Sequence, residues 1–200
     1  MNNLLLSTYV KKMSCSTGSV NAYASSAAYA GGLVGYNNNT YNIIKIENCY
    51  ATGSVVESTA SSAYAGGLLG YNYSCEIMNC FSTGNITVNA SSFAYAGGLV
   101  GDNYYSNTIT NCYRYSGQTF YRKRGSTVYN TASNTSGTAT TLTNLQSESF
   151  LTGTIKFNKF ISEIDLKTHP NNLWVFTENQ YPKLYWKAWM TLVKAILDVL

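Results

Sequence analysis

The chain has few ionisable side chains, and this scarcity narrows the functions that fit it. Asp, Glu, Lys and Arg together make up 11% of its 200 residues, and His169 is its one histidine, whereas about a quarter of the residues in a typical soluble protein are charged. His169 precedes Pro170, so we expect a turn residue rather than a general base. An enzyme needs unlike groups that converge at one place. The nine carboxylates are scattered along the chain, and we therefore predict no catalytic residues.

Motifs of cofactor and metal sites are also missing from the sequence. The chain contains no GxSxG, HExxH or GxxxxGK[ST] segment, which are signatures of serine hydrolases, zinc peptidases and phosphate-binding loops. Its five cysteines form no CxxC pair, which argues against a zinc site and, with the odd number, against a disulfide framework. We expect no cofactor, no metal site and no disulfide bond.

Long hydrophobic runs are missing as well. The sequence has no stretch of about 18 apolar residues, the length that spans a bilayer. In Met1–Met13 two lysines follow the apolar residues, whereas in a signal peptide the basic residues come first. The net charge of +4 is small, and the basic run Arg122–Arg124 is typical of a solvated loop. The sequence therefore predicts no membrane span, no cleavable signal peptide and no nucleic-acid binding.

What the sequence does contain is an internal repeat. A glycine-rich phrase, AYAGGLVGYN in its first copy, begins at Ala28, Ala63 and Ala94. A second phrase, NCYATGSV in its first copy, recurs twice more, and a shorter version occupies residues 14–20. Four cysteines consequently recur at intervals of 31 to 34 residues, namely Cys15, Cys49, Cys80 and Cys112. A period of this size is typical of a protein built from stacked structural repeats.

The composition of the repeated phrases predicts β structure. Gly, Ser, Thr, Asn and β-branched residues dominate them, and these residues are poor helix formers that are common in strands and turns. Each repeat then forms one coil whose strands pair with the next coil. We predict a mainly β protein, a parallel β-solenoid (β-helix) of about three to four rungs with a C-terminal cap containing one or two helices. The predicted parts are a lead-in at 1–13, repeats at 14–118, a basic and Ser/Thr-rich linker at 119–141 and a capping segment at 142–200.

The spacing of apolar residues predicts a bend in each rung. An isoleucine lies three residues before the cysteine of a repeat (Ile46, Ile77 and Ile109), so both side chains face inward only if the chain turns between them. Asparagine tolerates the left-handed backbone geometry of such a turn. We therefore expect an inward file of the four repeated cysteines beside a corner ladder of Asn48, Asn79 and Asn111. Cys75 falls outside this file, and we expect it to be exposed.

Paired glycines predict a second corner in each rung. A close backbone approach or a positive φ would exclude a side chain at these positions, which are Gly31, Gly32, Gly66, Gly67, Gly97 and Gly98. The apolar pair after them forms a short strand. We expect the next glycine, Gly35, Gly70 or Gly101, to end that strand.

Two files of aromatic residues recur in register. One contains Tyr29, Tyr64 and Tyr95, and the other contains Tyr50, Phe81 and Tyr113. A file that faces solvent would form a strip able to bind sugar rings or a peptide, whereas a file packed along the solenoid wall would be structural. The sequence leaves both interpretations open, and we expect any ligand contact along Tyr29, Tyr64 and Tyr95.

The C-terminal part differs in composition from the repeats. Thr143–Gln146 matches a capping box, which predicts a short helix over residues 143–151. An open solenoid end invites aggregation, and we expect the last rung to be covered by Trp174, Phe176, Tyr181, Leu184, Tyr185 and Trp186. Lys187–Leu200 is predicted as an amphipathic helix too short to span a membrane. It would serve as a capping helix, as a membrane-surface or partner helix, or as part of an anchor.

The repeated phrases resemble a known motif. GGLVG or GGLLG, combined with the NCYATG phrase, is similar to the GLUG motif of bacterial cell-surface proteins. That family includes adhesin-like proteins and repeat regions that accompany IgA-peptidase-type enzymes. The resemblance covers residues 14–118, and Asp102 departs from it where Tyr36 and Tyr71 stand in the earlier copies. The segments at 142–151 and 171–186 also look like the region that often follows such repeats.

The resemblance implies an extracellular or cell-surface β-solenoid that acts as a repeat stalk or adhesive wall. Its implied partners are host or cell-surface glycans or proteins and neighbouring repeats of a longer parent protein, and it transfers no catalytic residues. A carbohydrate-active β-helix enzyme, such as a polysaccharide lyase or hydrolase, is the alternative, since fold alone does not decide function. Glu47 and Glu76 are neighbours in the repeat frame, but two like charges without a basic partner make a weak acid–base pair.

Overall fold

The structure of the chain is a computed structural model. It describes residues 10–12, 14–38, 44–105, 108–157, 160–161 and 174–184. Most of the predicted lead-in lies outside the described residues, as do the predicted helix at 187–200, His169, Tyr185 and Trp186.

Each complete rung consists of five short strands. The first rung contains β1 (Val10–Lys12), β2 (Cys15–Ser16), β3 (Val20–Ala24), β4 (Ala28–Gly31) and β5 (Val34–Asn37). The second contains β6 (Ile44–Glu47), β7 (Tyr50–Ala51), β8 (Val55–Thr59), β9 (Ser62–Gly66) and β10 (Leu69–Asn72). The third contains β11 (Cys75–Met78), β12 (Phe81–Ser82), β13 (Ile86–Ala90), β14 (Phe93–Gly97) and β15 (Val100–Asn103). A partial fourth rung contains β16 (Ile109–Thr110), β17 (Tyr113–Tyr115) and β18 (Phe120–Arg124).

Equivalent strands of successive rungs pair in parallel and form five sheets. Their strand orders are β1-β6-β11-β16 in sheet 1, β2-β7-β12-β17 in sheet 2, β3-β8-β13-β18 in sheet 3, β4-β9-β14 in sheet 4 and β5-β10-β15 in sheet 5. The chain is therefore a parallel β-solenoid with three full rungs and part of a fourth, which confirms the predicted fold class.

Two adjoining cores fill the solenoid. The inward residues of sheets 3 and 4 form an alanine-rich layer, in which Ala63, Ala65 and Ala96 pack with Val55 and Val88. Sheets 1, 2 and 5 enclose a second core of isoleucine, leucine, valine and cysteine side chains. Side chains alternate between the two sides of each strand, so the residues between these inward positions form the outer surface.

The inward cysteine file is confirmed for three residues. Phe81 pairs with Tyr50 and with Tyr113, so the cysteines that precede these residues lie in register. They are Cys49, Cys80 and Cys112, and all are buried. Each thiol donates a hydrogen bond of 3.0–3.2 Å to the carbonyl oxygen two residues before it, which satisfies a buried acceptor at the corner.

Two predictions about cysteines are wrong. Cys15 pairs with Tyr50 rather than with Cys49, because its phrase is one residue shorter, and it packs beside the outer aromatic cluster of sheet 2 instead of entering the file. Cys75, which we expected to be exposed, is 0% exposed. It pairs with Ile44 at the start of sheet 1 and so occupies an inward apolar position.

The predicted asparagine corner is confirmed. Asn48, Asn79 and Asn111 have φ values of 55°, 53° and 50°, in the left-handed region that asparagine tolerates. The Nδ2 group of Asn79 donates to Oδ1 of Asn48 over 3.4 Å, and that of Asn111 donates to Oδ1 of Asn79 over 3.2 Å. The bend lets the isoleucine before it and the cysteine after it face the same core.

The paired glycines allow a close backbone approach, which is one of the two roles predicted for them. A Cβ atom at Gly66 would overlap the carbonyl oxygen of Leu69, and one at Gly67 would overlap the carbonyl oxygen of Gly98 in the next rung. Positive φ is not the reason, because the glycines with positive φ are Gly125 and Gly137. The strands of sheet 5 run through the following glycine and end at Asn37, Asn72 and Asn103, so the prediction that this glycine ends the strand is wrong.

Residues 119–141, predicted as a linker, instead extend the solenoid. Strand β18 pairs with β13 in parallel, β19 (Thr127–Tyr129) folds back on β18, and β20 (Thr138–Thr140) adds a fifth strand to sheet 2. The guanidinium groups of the basic run lie over aromatic rings, Arg122 over Tyr129 at 4.5 Å and Arg124 over Phe93 at 4.7 Å. The run is therefore part of a strand rather than a solvated loop.

The C-terminal segment packs along the side of the solenoid. It contains α1 (Leu142–Leu145), α2 (Glu148–Gly153), β21 (Phe160–Ile161), β22 (Trp174–Val175) and β23 (Lys183–Leu184). Thr141 rather than Thr143 caps α1, since its side chain accepts from the backbone N–H of Asn144, and the predicted single helix is split in two. Trp174 and Leu184 pack on Tyr50 and Phe81 in sheet 2. The prediction that these residues cover the last rung is therefore wrong, because they cover a lateral face.

Candidate functional site

The file of Tyr29, Tyr64 and Tyr95 forms a stacked ladder on the outer face of sheet 4. These residues pair in register across the three rungs. Their ring centroids are 5.0 Å and 4.8 Å apart, with interplanar angles of 11° and 7°. The inward neighbours of each tyrosine are alanines of the core, so all three rings point away from the core and are half-buried.

The glycine corner brings the second tyrosine of the first two phrases against this ladder. Tyr36 lies 4.5 Å from Tyr29, and Tyr71 lies 5.2 Å from Tyr64, between ring centroids. Both residues belong to sheet 5, which folds back along sheet 4 where the glycines permit close contact. Asp102 takes the equivalent position in the third rung, so this second file ends in a carboxylate.

Three further tyrosines continue the cluster beyond sheet 5. Tyr73 stacks on Tyr104 at 5.7 Å and meets Tyr105 edge-on at 4.8 Å, and Tyr71 links them to the ladder through Tyr104 at 6.3 Å. Ring contacts thus join eight tyrosines, which we call the tyrosine wall: Tyr29, Tyr36, Tyr64, Tyr71, Tyr73, Tyr95, Tyr104 and Tyr105.

Sequence reasoning missed Tyr73, Tyr104 and Tyr105, although a signal was present. Asn72 and Asn103 pair in register, so Tyr73 and Tyr104, which follow them, stand at the same place in successive repeats. The two asparagines also form a ladder, since Nδ2 of Asn72 donates to Oδ1 of Asn103 over 2.8 Å. An alignment extended past the glycine-rich phrase would have found both features.

The stacking determines what the wall presents to solvent. Tyr64 has Tyr29 on one face and Tyr95 on the other, so a ligand ring cannot stack on it. The ladder therefore presents ring edges and hydroxyl groups, which donate and accept hydrogen bonds. The most exposed rings lie beside the ladder, with exposed fractions of 63% for Tyr104, 53% for Tyr105 and 44% for Tyr36.

The phenol groups of the wall are uncharged. Partial burial is the main cause that raises the pKa of Tyr29, of Tyr64 and of Tyr71, the last to about 12, so these phenols are neutral at physiological pH. Partial burial also raises the pKa of Asp102, and the backbone N–H of Asn103 offsets part of this effect. The wall is thus suited to hydrogen bonding and apolar contact rather than to binding ions.

The second aromatic file has a different environment. Tyr50 and Phe81 stack at 4.8 Å with an interplanar angle of 5°, and the C-terminal segment covers both. The Tyr50 hydroxyl donates to the carbonyl oxygen of Pro182, and the Tyr181 hydroxyl donates to Oγ1 of Thr83 over 3.3 Å. This file is therefore core and not a ligand strip.

Glu76 and the buried cysteines have surroundings that the sequence did not predict. Glu76 forms an ion pair with Lys45 at 3.0 Å, so our expectation that the Glu47–Glu76 pair has no basic partner is wrong. Burial raises the pKa of Cys80 and, to about 12, that of Cys75, which keeps both thiols protonated and poorly nucleophilic.

Within the described residues, His, Cys, Asp and Glu form no group of three placed to hold a metal ion. None of the helices in the described part of the chain has the length and apolarity to cross a membrane.

Comparison with known proteins identifies the repeats. The family defined by the GLUG motif matches residues 26–56 and 61–88. Each matched segment holds one glycine-rich phrase and the asparagine-cysteine phrase after it, which confirms the resemblance in two repeats. No curated protein matches the chain.

One solved structure shares the fold. It is the crystal structure of a "putative immunoglobulin A1 protease" from Bacteroides ovatus, with a TM-score of 0.52 and 19% sequence identity. The match covers 88% of this chain and 57% of that protein, so the chain spans little more than half the length of its structural relative. At this identity the likeness concerns the fold alone.

Proposed function

Because the chain carries GLUG-motif repeats on a parallel β-solenoid, we propose that it is a non-catalytic module of a bacterial cell-surface protein that binds saccharide chains through its tyrosine wall. The observation that carries this proposal is the wall itself. Eight tyrosines connected by ring contacts occupy one side of the solenoid, and large contiguous aromatic surfaces are uncommon on soluble proteins unless they bind something.

The chemistry of the wall favours neutral saccharides. A sugar ring has an apolar C–H face and a rim of hydroxyl groups, which complement an aromatic side chain with a polar tip. Tyr104, Tyr105 and Tyr36 supply the most exposed rings. The ladder of Tyr29, Tyr64 and Tyr95 supplies a row of hydroxyl groups at the rung spacing of about 4.8 Å. Asp102 adds a hydrogen-bond acceptor at the end of the neighbouring file in sheet 5.

Weak, repeated contacts fit this arrangement better than one tight site. The pockets around Ser147, Asn111 and Tyr50 contain no residue of the wall, so a ligand of the wall would lie along it instead of entering one of these cavities. Binding of this kind gains strength from the number of contacts made by one polymer chain. An extracellular location and a saccharide of host or bacterial origin belong to the same proposal.

The test is a glycan array followed by calorimetric titration of the oligosaccharide that gives the strongest signal. The Tyr104→Ala, Tyr105→Ala double variant should bind about tenfold more weakly, since each lost ring contact costs roughly 0.5–1.5 kcal/mol. Tyr23→Ala is the matched control, because Tyr23 is 74% exposed but belongs to β3, outside the wall. Its affinity should equal that of the wild type.

Three outcomes would count against the proposal. Unchanged affinity in the double variant would show that these two rings of the wall do not bind the saccharide. The partner would be a protein instead of a saccharide if no saccharide on the array bound and if the chain captured a protein whose binding the same substitutions weakened. Cleavage of a polysaccharide that one carboxylate substitution abolishes would support the alternative of a carbohydrate-active β-helix enzyme.

A further inference from the structure

A carboxyl group is buried inside the second rung, directly behind the tyrosine wall. Glu57 lies in the middle of β8, where it shares the inward side with Val55 and Thr59. Its side chain is 0% exposed, and neither carboxyl oxygen makes a hydrogen bond. An unpaired buried carboxylate is one of the most costly groups a fold can contain.

Within the part of the chain that the structure describes, no basic side chain lies next to Glu57 as a counter-ion. Ala22 and Val88 occupy the same position in the rungs on either side. The strands packed against β8 are β3, β4, β9 and β13, and their ionisable side chains are the phenols of Tyr23, Tyr29 and Tyr64. These strands contain no Lys, Arg or His.

The basic residue in the same file is Arg122, which follows Val88 in the fourth rung. Its Nη1 group donates to the carbonyl oxygen of Ala94 over 3.2 Å, and Val88 separates it from Glu57. The backbone N–H of Tyr64 favours the ionised form of Glu57 to some extent, although it forms no hydrogen bond of normal geometry with the carboxyl group.

Burial therefore raises the pKa of Glu57 from 4.5 to about 8, because the apolar layer disfavours the charged form. In the unfolded chain the same group ionises at its ordinary pKa. Between pH 4.5 and about 8 the folded state consequently keeps this proton on Glu57, whereas the unfolded state has released it to water. This contribution to stability is fully present below pH 4.5 and is lost as the pH rises towards 8.

We propose that Glu57 is a proton-controlled lock on the second rung: the alanine-rich layer behind the tyrosine wall closes around the protonated carboxyl, and loss of that proton opens it. Strand β9 connects the lock to the wall, since Ala63 and Ala65 face the core while Tyr64 between them faces outward. A charge on Glu57 also raises the pKa of both Tyr29 and Tyr64, so the two sides of the layer interact. The proposal does not depend on what the wall binds.

Urea unfolding of the full chain between pH 4.5 and 8.5 tests the lock. The folding equilibrium constant of the wild type should fall by up to about tenfold per pH unit across this interval, relative to variants that lack the carboxyl group. Glu57→Gln and Glu57→Val should both remove this part of the slope. Glu57→Val should also be more stable than the wild type at pH 8, because valine already fills this position at Val88.

Glu76→Gln is the matched control, since Glu76 is a partly exposed carboxylate paired with Lys45, and it should keep the wild-type slope. Carbon-13 NMR of the glutamate carboxyl groups provides a second readout. It measures the titration of Glu57 in the folded protein and does not require an unfolding experiment. A resonance that titrates near pH 8 and is missing from Glu57→Val supports the lock. Ionisation of Glu57 near pH 4.5 in the folded protein, or an unchanged slope in Glu57→Val, would overturn it.

Discussion

The two aromatic files of the solenoid share one geometry and differ in what covers them. Tyr64 and Tyr95 stack at 4.8 Å with an interplanar angle of 7°, and Tyr50 and Phe81 stack at 4.8 Å with an angle of 5°. The first file is half-buried at the surface, whereas Phe81 is 0% exposed beneath the C-terminal segment. Stacking therefore follows from the repeat alone, and the covering segment determines whether a file is core or surface.

The covering segment supplies apolar contacts that no repeat provides for itself. Trp174 is fully buried against Tyr50 at a centroid distance of 5.5 Å, and Phe157 lies 5.7 Å from Phe81. Leu145, Leu151 and Ile155 complete this cluster, and all three are 0% exposed. The outer face of sheet 2 thus belongs to a third hydrophobic core, while the equivalent surface of sheet 4 remains open to solvent.

Truncating one ring in each file should show the largest contrast between them. Phe81→Ala removes a fully buried ring and should lower the free energy of unfolding by about 3–5 kcal/mol. Tyr64→Ala removes a half-buried ring with neighbours on both faces and should cost about 1–2 kcal/mol. Urea unfolding at one pH measures both values. Equal costs would contradict the assignment of one file to the core and the other to the surface.

An effect smaller than that of Phe81→Ala is expected at the corner between the inward isoleucine and the inward cysteine of a rung. Asn79 has a φ of 53° and forms hydrogen bonds with both neighbouring asparagines of its ladder. Asn79→Ala should cost about 2–3 kcal/mol, because alanine pays about 1–2 kcal/mol for the left-handed region and the ladder bonds are lost as well.

Asn79→Gly is the matched variant, since glycine adopts the same backbone without strain. It loses only the ladder bonds and should be about 1 kcal/mol more stable than Asn79→Ala. If the two variants unfold at the same urea concentration, the left-handed corner is not what lets Ile77 and Cys80 face the same core.

The repeated features could be predicted because identical residues at one period must occupy identical environments. Asn48, Asn79 and Asn111 required the same corner, and Cys49, Cys80 and Cys112 required the same small inward site. The burial of Cys75 could not be predicted in this way, because no other repeat has a cysteine at this position. Its register partner in the previous rung is Ile44, which resembles it only in being apolar. Residues 119–141 escaped prediction for a related reason, since the strand Phe120–Arg124 replaces apolar residues by basic ones at an end of the solenoid.

The repeat period does not specify every tertiary contact. It could therefore predict neither the position of the C-terminal segment nor the extent of the tyrosine wall. Trp174 and Leu184 were correctly expected to cover the solenoid, but aromatic content alone did not distinguish its end from its side. The contact between Tyr36 and Tyr29 required the fold-back of sheet 5 on sheet 4. Glu57 gave no signal at all, because a single glutamate in a strand is normally exposed.

Hydroxyl-radical footprinting read by mass spectrometry tests the central comparison most directly, because it reports the solvent access of both files in one native sample. Tyr36, Tyr104 and Tyr105 should be modified rapidly, Tyr29, Tyr64 and Tyr95 at intermediate rates, and Tyr50, Phe81 and Trp174 slowest of all. Tyr23, exposed on a different sheet, provides the reference rate for an open ring. Modification of Tyr50 and Phe81 as fast as that of Tyr104 would contradict the account, since the two files would then be equally open to solvent.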